Sequence, residues 1–473
     1  MIFSSYKFIF LFFPVAFIGF LFLYRTGRSQ WTKAWLVAAS LAFYSVGQPD
    51  FLAGFAGTLV FNYLIIRGLH RFQKDWLRLF LLVLSCVENL GLLAYYKYYN
   101  FFFENVNRFL GTDFSMLQVI LPIGISFFTF QILALVVSCW RNECETPGFL
   151  NYLVFATFFP QLIVGPVVKH EELLPQIQNC TFLKRQPEDL YRGTMLFSFG
   201  CAKKILLADP MIDFAAAFYS GDVGAASVPE AWTGVLCYTM AYYFDFSGYI
   251  DMARGLGHLF GFHLPVNFDS PYRAKDFGDF WRRWNITISR FFQETIFDNL
   301  FGFGDRMPKL ILATVLTFLV SGLWHGAGWH YIVWGLVNGI LVCIANIRMI
   351  RMRKPLPSWL AILMTFLTGA VVRVLFDCQN LPQALSVYKK MFAIKEILDF
   401  RTMLETCLAF SQEHIFLCLL LMGSILLCFF APNTNLISDR TDFKARDAVF
   451  SAVLLAVSLF FMSHVSQFLY FNF

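Results

Sequence analysis

The feature that most constrains this chain is a succession of apolar runs with little soluble sequence between them. They are Phe8–Tyr24, Trp35–Val46, Phe51–Ile66, Trp76–Tyr96, Met116–Trp140, Tyr152–Val168, Leu190–Leu207, Ala231–Phe262, Leu310–Ile347, Trp359–Leu375, Ile415–Phe430 and Ala448–Leu469. A bilayer-crossing helix needs about 20 apolar residues. The chain is 58% hydrophobic and only 14% charged, whereas a soluble domain is roughly a quarter charged. The runs are continuous rather than alternating, which argues helices and not a barrel. The expectation is an all-α polytopic integral membrane protein, a single membrane-embedded domain over residues 1–473. It has about 11 transmembrane helices plus re-entrant and interfacial amphipathic helices.

Charge orients these spans. Arg25, Arg28 and Lys33 form one basic loop, and Arg67, Arg71, Lys74 and Arg78 form another, diluted only by Asp75. The link between the intervening spans carries only Asp50. Basic loops stay cytoplasmic, so the N-terminus is expected outside and loops 25–33 and 67–78 inside. The cluster Arg348, Arg351, Arg353 and Lys354 is expected inside as well. The basic residues flank spans and form no continuous stripe, which argues against nucleic acid. The first run lacks a small-residue cleavage site and reads as a retained helix. Eleven cysteines occur without a CxxC or a paired framework and read as apolar packing residues; no metal is expected.

Four stretches place costly groups where lipid should be. In "ILPIGISFFTFQ" (Ile120–Gln131), Pro122 and Gly124 break a helix, and in "FFPQLIVGPVVKHEELLPQI" (Phe158–Ile177), Pro160, Gly165 and Pro166 do the same. Broken backbone at membrane depth survives only where protein or a cavity satisfies it. Each stretch is therefore read as re-entrant, with a plain kinked helix as the alternative. In "YYFDFSGYIDMARGLGHLFGF" (Tyr242–Phe262), Asp245 and Asp251 face a partner or a substrate cavity. An ion pair between Asp251 and Arg254, three apart, is the structural alternative. In "AKDFGDFWRRWNITISRFFQ" (Ala274–Gln293), about 100° per residue gathers Phe277, Phe280, Trp281, Trp284, Ile288, Phe291 and Phe292 within an arc of about 120°. Asp279, Arg282, Arg283 and Arg290 fall opposite. This predicts one amphipathic helix along the membrane interface, with Asn285 at the edge of the apolar arc.

Leu310–Ile347 is too long for one crossing, and basic residues lie at both ends. It predicts two arms meeting near Gly322–Gly328, within "LVSGLWHGAGWHYIVWG". His325 and His330 are five apart, about 140° on a helix, where a zinc pair needs four. Metal binding by this pair is not expected. A satisfied core histidine and a functional one both stay open on these residues alone.

The collinear order of these motifs resembles the membrane-bound O-acyltransferase family. The chain is similar to its bacterial branch that includes the membrane subunit of alginate O-acetyltransferase. The resemblance runs from "MIFSSYKFIFLFFP" through "LPIGISFFTFQ", "FDFSGYIDMARGLGHLFGF", "DFWRRWNITISRF" and "SGLWHGAGWHYIVWG" to "FLYFNF". It implies that His325 is the catalytic base and that Asn285 occupies the second family position, a His or an Asn. No role carries over to His330. The chain departs from the alginate type at "RRWN", where relatives read Arg-Arg-Trp-His. It departs again in the loop after Asn285, and at "VLFDCQN", which replaces a stretch that usually carries an Arg.

The reaction so implied is O-acyl transfer from a cytoplasmic thioester donor, acetyl-CoA or another acyl thioester, with no tightly bound cofactor. A hydroxyl is a poor nucleophile, so a base must take its proton; Asn285 is a candidate donor to the oxyanion. Trp281, Trp284, Trp324, Arg282, Arg283, Asp245 and Asp251 are the candidate substrate-binding residues, the arginines serving an anionic donor or lipid headgroups. The acceptor implied is an extracytoplasmic glycan, reached directly or through a periplasmic or extracellular acyltransferase partner, from the bacterial inner membrane. The glycines near His325 are expected to make room for substrate. The alternatives are a transporter, suggested by the broken helices, or a scaffold for a glycan-modifying partner.

Overall fold

The computed structural model describes residues 1–184, 186–302, 304, 306–350, 356–440, 444–462 and 469, and among them every regular element is helical. Among the described residues six helices are long and apolar enough to cross a bilayer: Phe8–Arg25, Leu52–Arg71, Asp75–Leu110, Met307–His325, Trp329–Ile350 and Ser358–Asp377. A seventh crossing is obtained if Phe400–Glu413 and Ile415–Phe430, bent by 94°, count as one. The chain is thus a multi-pass integral membrane protein. Among the described residues several apolar runs fold as helices shorter than a full crossing, such as Ile125–Trp140 and Phe149–Thr157. Arg351, Arg353 and Lys354 lie outside the described residues, as does the ending "FLYFNF" apart from Leu469.

The described residues sort into two compact units. The first draws on Met1–Gly200, Tyr249–Pro265 and Lys444–Ser463. Its core is aromatic: Phe3 stacks on Tyr249 with ring centroids 4.7 Å apart and on Phe43 at 5.6 Å, and Phe159 packs against Phe43 at 5.5 Å. The two stretches broken by proline and glycine meet here. Gly124 has φ +78°, and a Cβ on it would lie 2.9 Å from the Leu162 carbonyl oxygen. Side chains satisfy the interrupted backbone. Gln131 and Gln161 both donate to the Phe155 carbonyl, at 3.0 and 2.6 Å, and the Phe159 amide donates to Ser40. A further polar set ties Leu52–Arg71 to Asp75–Leu93: Thr58 and Asn62 donate to Glu88, and Ser85 and Asn89 donate to the side-chain Oδ1 of Asn62. Such bonds hold helices together where lipid offers no hydrophobic drive.

Two of the basic "loop" residues are buried. Lys33 lies in the helix Ser29–Gly47 and donates to Asn151 at 2.8 Å. Arg78 donates to the carbonyls of Leu69, Cys139 and Trp140. It thereby sets a cation at the C-terminal ends of two helices, where their dipoles favour it.

The second unit draws on Cys201–Gly248, Val266–Phe443 and His464–Phe473. Its centre is the predicted hairpin, with arms Met307–His325 and Trp329–Ile350 joined at Gly326–Gly328. The arms approach backbone to backbone. A Cβ on Gly322 would meet the Tyr331 carbonyl oxygen, and one on Gly335 would meet that of Phe318. Gly326 lies under the Tyr331 ring and Gly328 under the His330 imidazole. The glycines therefore serve the packing of the hairpin on itself, not room for substrate. Overpacking such a contact costs about 1–3 kcal/mol, whereas Gly423, in Ile415–Phe430, has open space around its Cβ position. Gly322→Ala is expected to lower the detergent melting temperature, read by the loss of the monodisperse peak in size exclusion after heating. Gly423→Ala is expected to leave it unchanged or raise it slightly, since alanine is better than glycine in a helix by about 0.5–1 kcal/mol.

Candidate active site

The predicted amphipathic helix over 274–293 is two helices, Phe277–Arg283 and Ile286–Phe292. Asp276 caps the first, accepting from the Asp279 amide at 2.8 Å. The break falls at Asn285, with φ 44° and ψ 55°, a left-handed conformation that Asn tolerates better than most residues. Its apolar side meets protein: Trp284 is buried among Phe268, Tyr243, Tyr242 and Phe280, with centroids 5.1 to 6.1 Å away.

An asparagine at an N-cap ordinarily uses its side chain on the helix's first free amides. Here Asn285 makes no such bond. Asn267 caps the helix instead: its carbonyl accepts from the Ile286 amide at 2.9 Å, and its Oδ1 accepts from the Thr287 amide at 3.0 Å and hydroxyl at 2.9 Å. With Oδ1 fixed as an acceptor, the other amide atom of Asn267 must be the donor. Its Nδ2 meets Asn285 Oδ1 at 3.0 Å. That orients the Asn285 amide, oxygen toward Asn267, and leaves its NH₂ to other partners.

Both Asn285 and His325 line a cavity of about 380 Å³, with Trp281, Arg282, Trp284 and Gln293. His325 also lines a second cavity of about 60 Å³, with Trp281, Trp284, Asn338, Tyr242 and Arg373. The imidazole thus forms wall for both. It is held among aromatic rings: Trp324 at 4.6 Å, Phe376 at 5.0 Å and Trp334 at 5.1 Å between centroids, the last two edge-on. Trp281 lines both cavities, and its Nε1 is buried with no hydrogen-bond partner among the described residues.

The remaining candidates lie elsewhere. Trp324 is buried behind His325 against Phe292 and lines neither cavity. Arg283 pairs with Asp279 at 2.8 Å and donates to the Asp269 carbonyl, so it braces the break rather than facing substrate. Asp245 is paired with Lys204 at 2.8 Å and accepts from the Leu469 amide; Lys204 also pairs with Asp209. That network is structural and outside both cavity walls. Asp251 is buried in the first unit and is likewise absent from both walls. His330 packs on Tyr331 at 4.1 Å and lines neither cavity.

Two functional candidates escaped sequence reasoning. Asn267 sits in "LPVNF" and carries no local signal; its role depends on a contact 18 residues away. Arg373 sits in an apolar run, one residue before the altered "VLFDCQN" stretch. Its guanidinium lies 3.7 Å over the Tyr242 ring and pairs with Asp377 at 2.9 Å. A charged residue inside an apolar run was the available signal.

Residues 64–362 match the profile of the membrane-bound O-acyltransferase family. A peptidoglycan O-acetyltransferase of Helicobacter pylori is 34% identical over an alignment covering 100% of this chain and 98% of that protein. A protein described as a probable alginate O-acetylase, from Pseudomonas aeruginosa, is 35% identical over 83% of this chain and 75% of its own. A teichoic acid D-alanyltransferase of Streptococcus thermophilus is 26% identical over 54% of this chain and 67% of its own.

Removing one member of a buried ion pair costs about 3–5 kcal/mol, while replacing both by apolar residues of similar volume is often neutral or better. Asp377→Ala is therefore expected to melt well below the native protein in detergent, and Arg373→Met/Asp377→Leu to recover most of the loss. Equal melting temperatures for the single and double variants would mean that the pair is not coupled.

Proposed function

The chain belongs to the membrane-bound O-acyltransferase family, and we propose that it moves an acetyl group from a cytoplasmic thioester to a hydroxyl of an extracytoplasmic cell-envelope glycan, across the bacterial inner membrane. The single observation that carries this reading is His325 as common wall of two cavities. The acetyl end of the donor can then lodge in the smaller space while the rest of the donor and the acceptor hydroxyl reach the same residue from the larger one. The smaller cavity holds only a few waters' worth of volume, at about 10–15 Å³ each, so it suits an acetyl-sized group and not a sugar. Arg282, exposed at the larger cavity, matches the phosphates of acetyl-CoA as donor. Peptidoglycan is the first acceptor to test, because the relative named for it aligns along the whole chain; delivery is direct or through an extracytoplasmic partner.

In the proposed step His325 takes the proton of the attacking hydroxyl, and the hydroxyl oxygen bonds to the thioester carbonyl carbon. The carbonyl oxygen becomes an oxyanion facing the Asn285 NH₂, with the Trp281 Nε1–H as a second donor. Collapse restores the carbonyl, breaks the C–S bond and expels the thiolate, which takes the proton from the imidazolium. The apolar walls limit the water that could intercept the thioester.

The test is base-labile acetyl on extracytoplasmic glycan, measured by mass spectrometry in cells carrying native protein, variant protein or none, at matched expression. His325→Ala is expected to abolish the ester. Asn285→Gly is the sharper variant, since glycine adopts φ 44° without strain and keeps the break. It is expected to express normally and to lose about 10²–10³-fold in rate with the donor amide. Native-level ester from His325→Ala would overturn the assignment and favour a scaffold or transporter.

A further inference from the structure

Two histidines and a carboxylate meet in the first unit, on residues the transfer reaction does not use. Asp189 opens the helix Pro187–Ala202, and His258 closes the helix Val228–Leu259. His263 follows five residues after His258. That spacing would set the two imidazoles far apart around a continuous helix. Here the helix ends, and Gly261 at φ +77° turns the chain back beneath it. A Cβ on Gly261 would stand 2.8 Å from Phe182 Cα, so the turn is tight as well as left-handed. The rings of His258 and His263 end 4.8 Å apart.

We propose that Asp189, His258 and His263 form a three-ligand site for a zinc-class divalent cation. Their ligand atoms, His258 Nδ1, His263 Nε2 and one carboxylate oxygen, all lie within 4.8 Å of one another. Both imidazoles point at the same oxygen, Asp189 Oδ1, at 3.1 and 3.0 Å. One carboxylate oxygen can accept from both rings, and the same arrangement keeps three ligand atoms close enough together to surround one ion. Zinc with bonds of about 2.0–2.2 Å to nitrogen and oxygen places its ligands about 3.3 Å apart around a tetrahedron, so small side-chain shifts close the site.

The surroundings hold the ligands in place, as outer partners do in metal sites. Asp189 Oδ2 accepts from the Gln186 amide at 3.1 Å, which fixes the carboxylate and leaves Oδ1 to the cation. Gln176 grips the backbone of His263 from both sides: its Oε1 accepts from the His263 amide at 2.9 Å, and its Nε2 donates to the His263 carbonyl at 3.0 Å. Asp189 and His258 are nearly buried, and the His263 side chain is 60% exposed. Ions can therefore enter from the His263 side, where water completes the coordination. Imidazole and carboxylate together select zinc or a similar transition metal over magnesium or calcium. The bound cation clamps the turn after His258 to the start of the helix Pro187–Ala202.

The test uses the full-length protein in detergent, purified through a histidine-free tag, stripped with chelator and titrated with zinc chloride. The expected result is one zinc per chain, measured by calorimetry and by metal content after gel filtration. Asp189→Asn and His263→Gln are each expected to weaken it at least tenfold. His263→Gln alters an exposed side chain and leaves the backbone grip of Gln176 untouched, so its fold is safe and a lost site is not a lost protein. No zinc on the native protein, or undiminished zinc on both variants, overturns the proposal.

Discussion

Hydrocarbon offers no hydrogen bonds, so any interruption of a helix away from water must be satisfied by the protein itself. That constraint runs through the whole molecule. Where Phe149–Thr157 ends, two glutamines converge on one carbonyl and a serine accepts the next free amide. Tyr44 donates to the Ile123 carbonyl just ahead of Gly124. At the break before Ile286 the same service comes from Asn267, and there it has a chemical by-product. Because a remote residue caps the helix, the residue at the cap position keeps its own amide group. A solution to a backbone problem thus turns an oriented amide toward partners other than Asn267, on a residue that lines the same cavity as His325.

Much of the architecture was legible in the chain. Spans follow from apolar length, the hairpin from a run too long for one crossing, and the broken stretches from Pro122, Gly124, Pro160, Gly165 and Pro166. What composition could not supply was partnership. Asn267 and Asn285 are 18 residues apart, Asn62 and Glu88 are 26 apart, and Lys33 and Asn151 are 118 apart. Periodicity also hid the break at Asn285, because the apolar arc continues across it and asparagine marks no boundary. The aromatic side then faces Tyr242, Tyr243 and Phe268 rather than lipid.

The candidate site was legible in its two central residues, through the order of motifs rather than through local physics. Its walls were less so. Trp281, Trp284 and Arg282 line cavities, while Arg283, Trp324, Asp245 and Asp251 stand outside them. The difference is one of neighbours: Arg283 and Asp245 are paired, Trp324 packs on Phe292, and Asp251 is buried away from both walls. Arg373 reverses the case. It is a cation that the sequence reading overlooked, stacked on Tyr242 and facing the same small cavity as the imidazole.

The left-handed backbone at Asn285 has a consequence for how such a site can vary. Substitution there passes two filters in series. The first is steric: a positive φ admits glycine, asparagine, aspartate and histidine far more readily than β-branched or bulky residues. The second is chemical and asks only which of those can serve the oxyanion. Glycine fails it for want of a side chain, and aspartate for its negative charge. Asparagine and histidine remain, the same pair that the resemblance allows at this position. The short alphabet is therefore written by the turn of the main chain before catalysis makes any choice, and a search for altered chemistry would do better to vary the cavity walls than this residue.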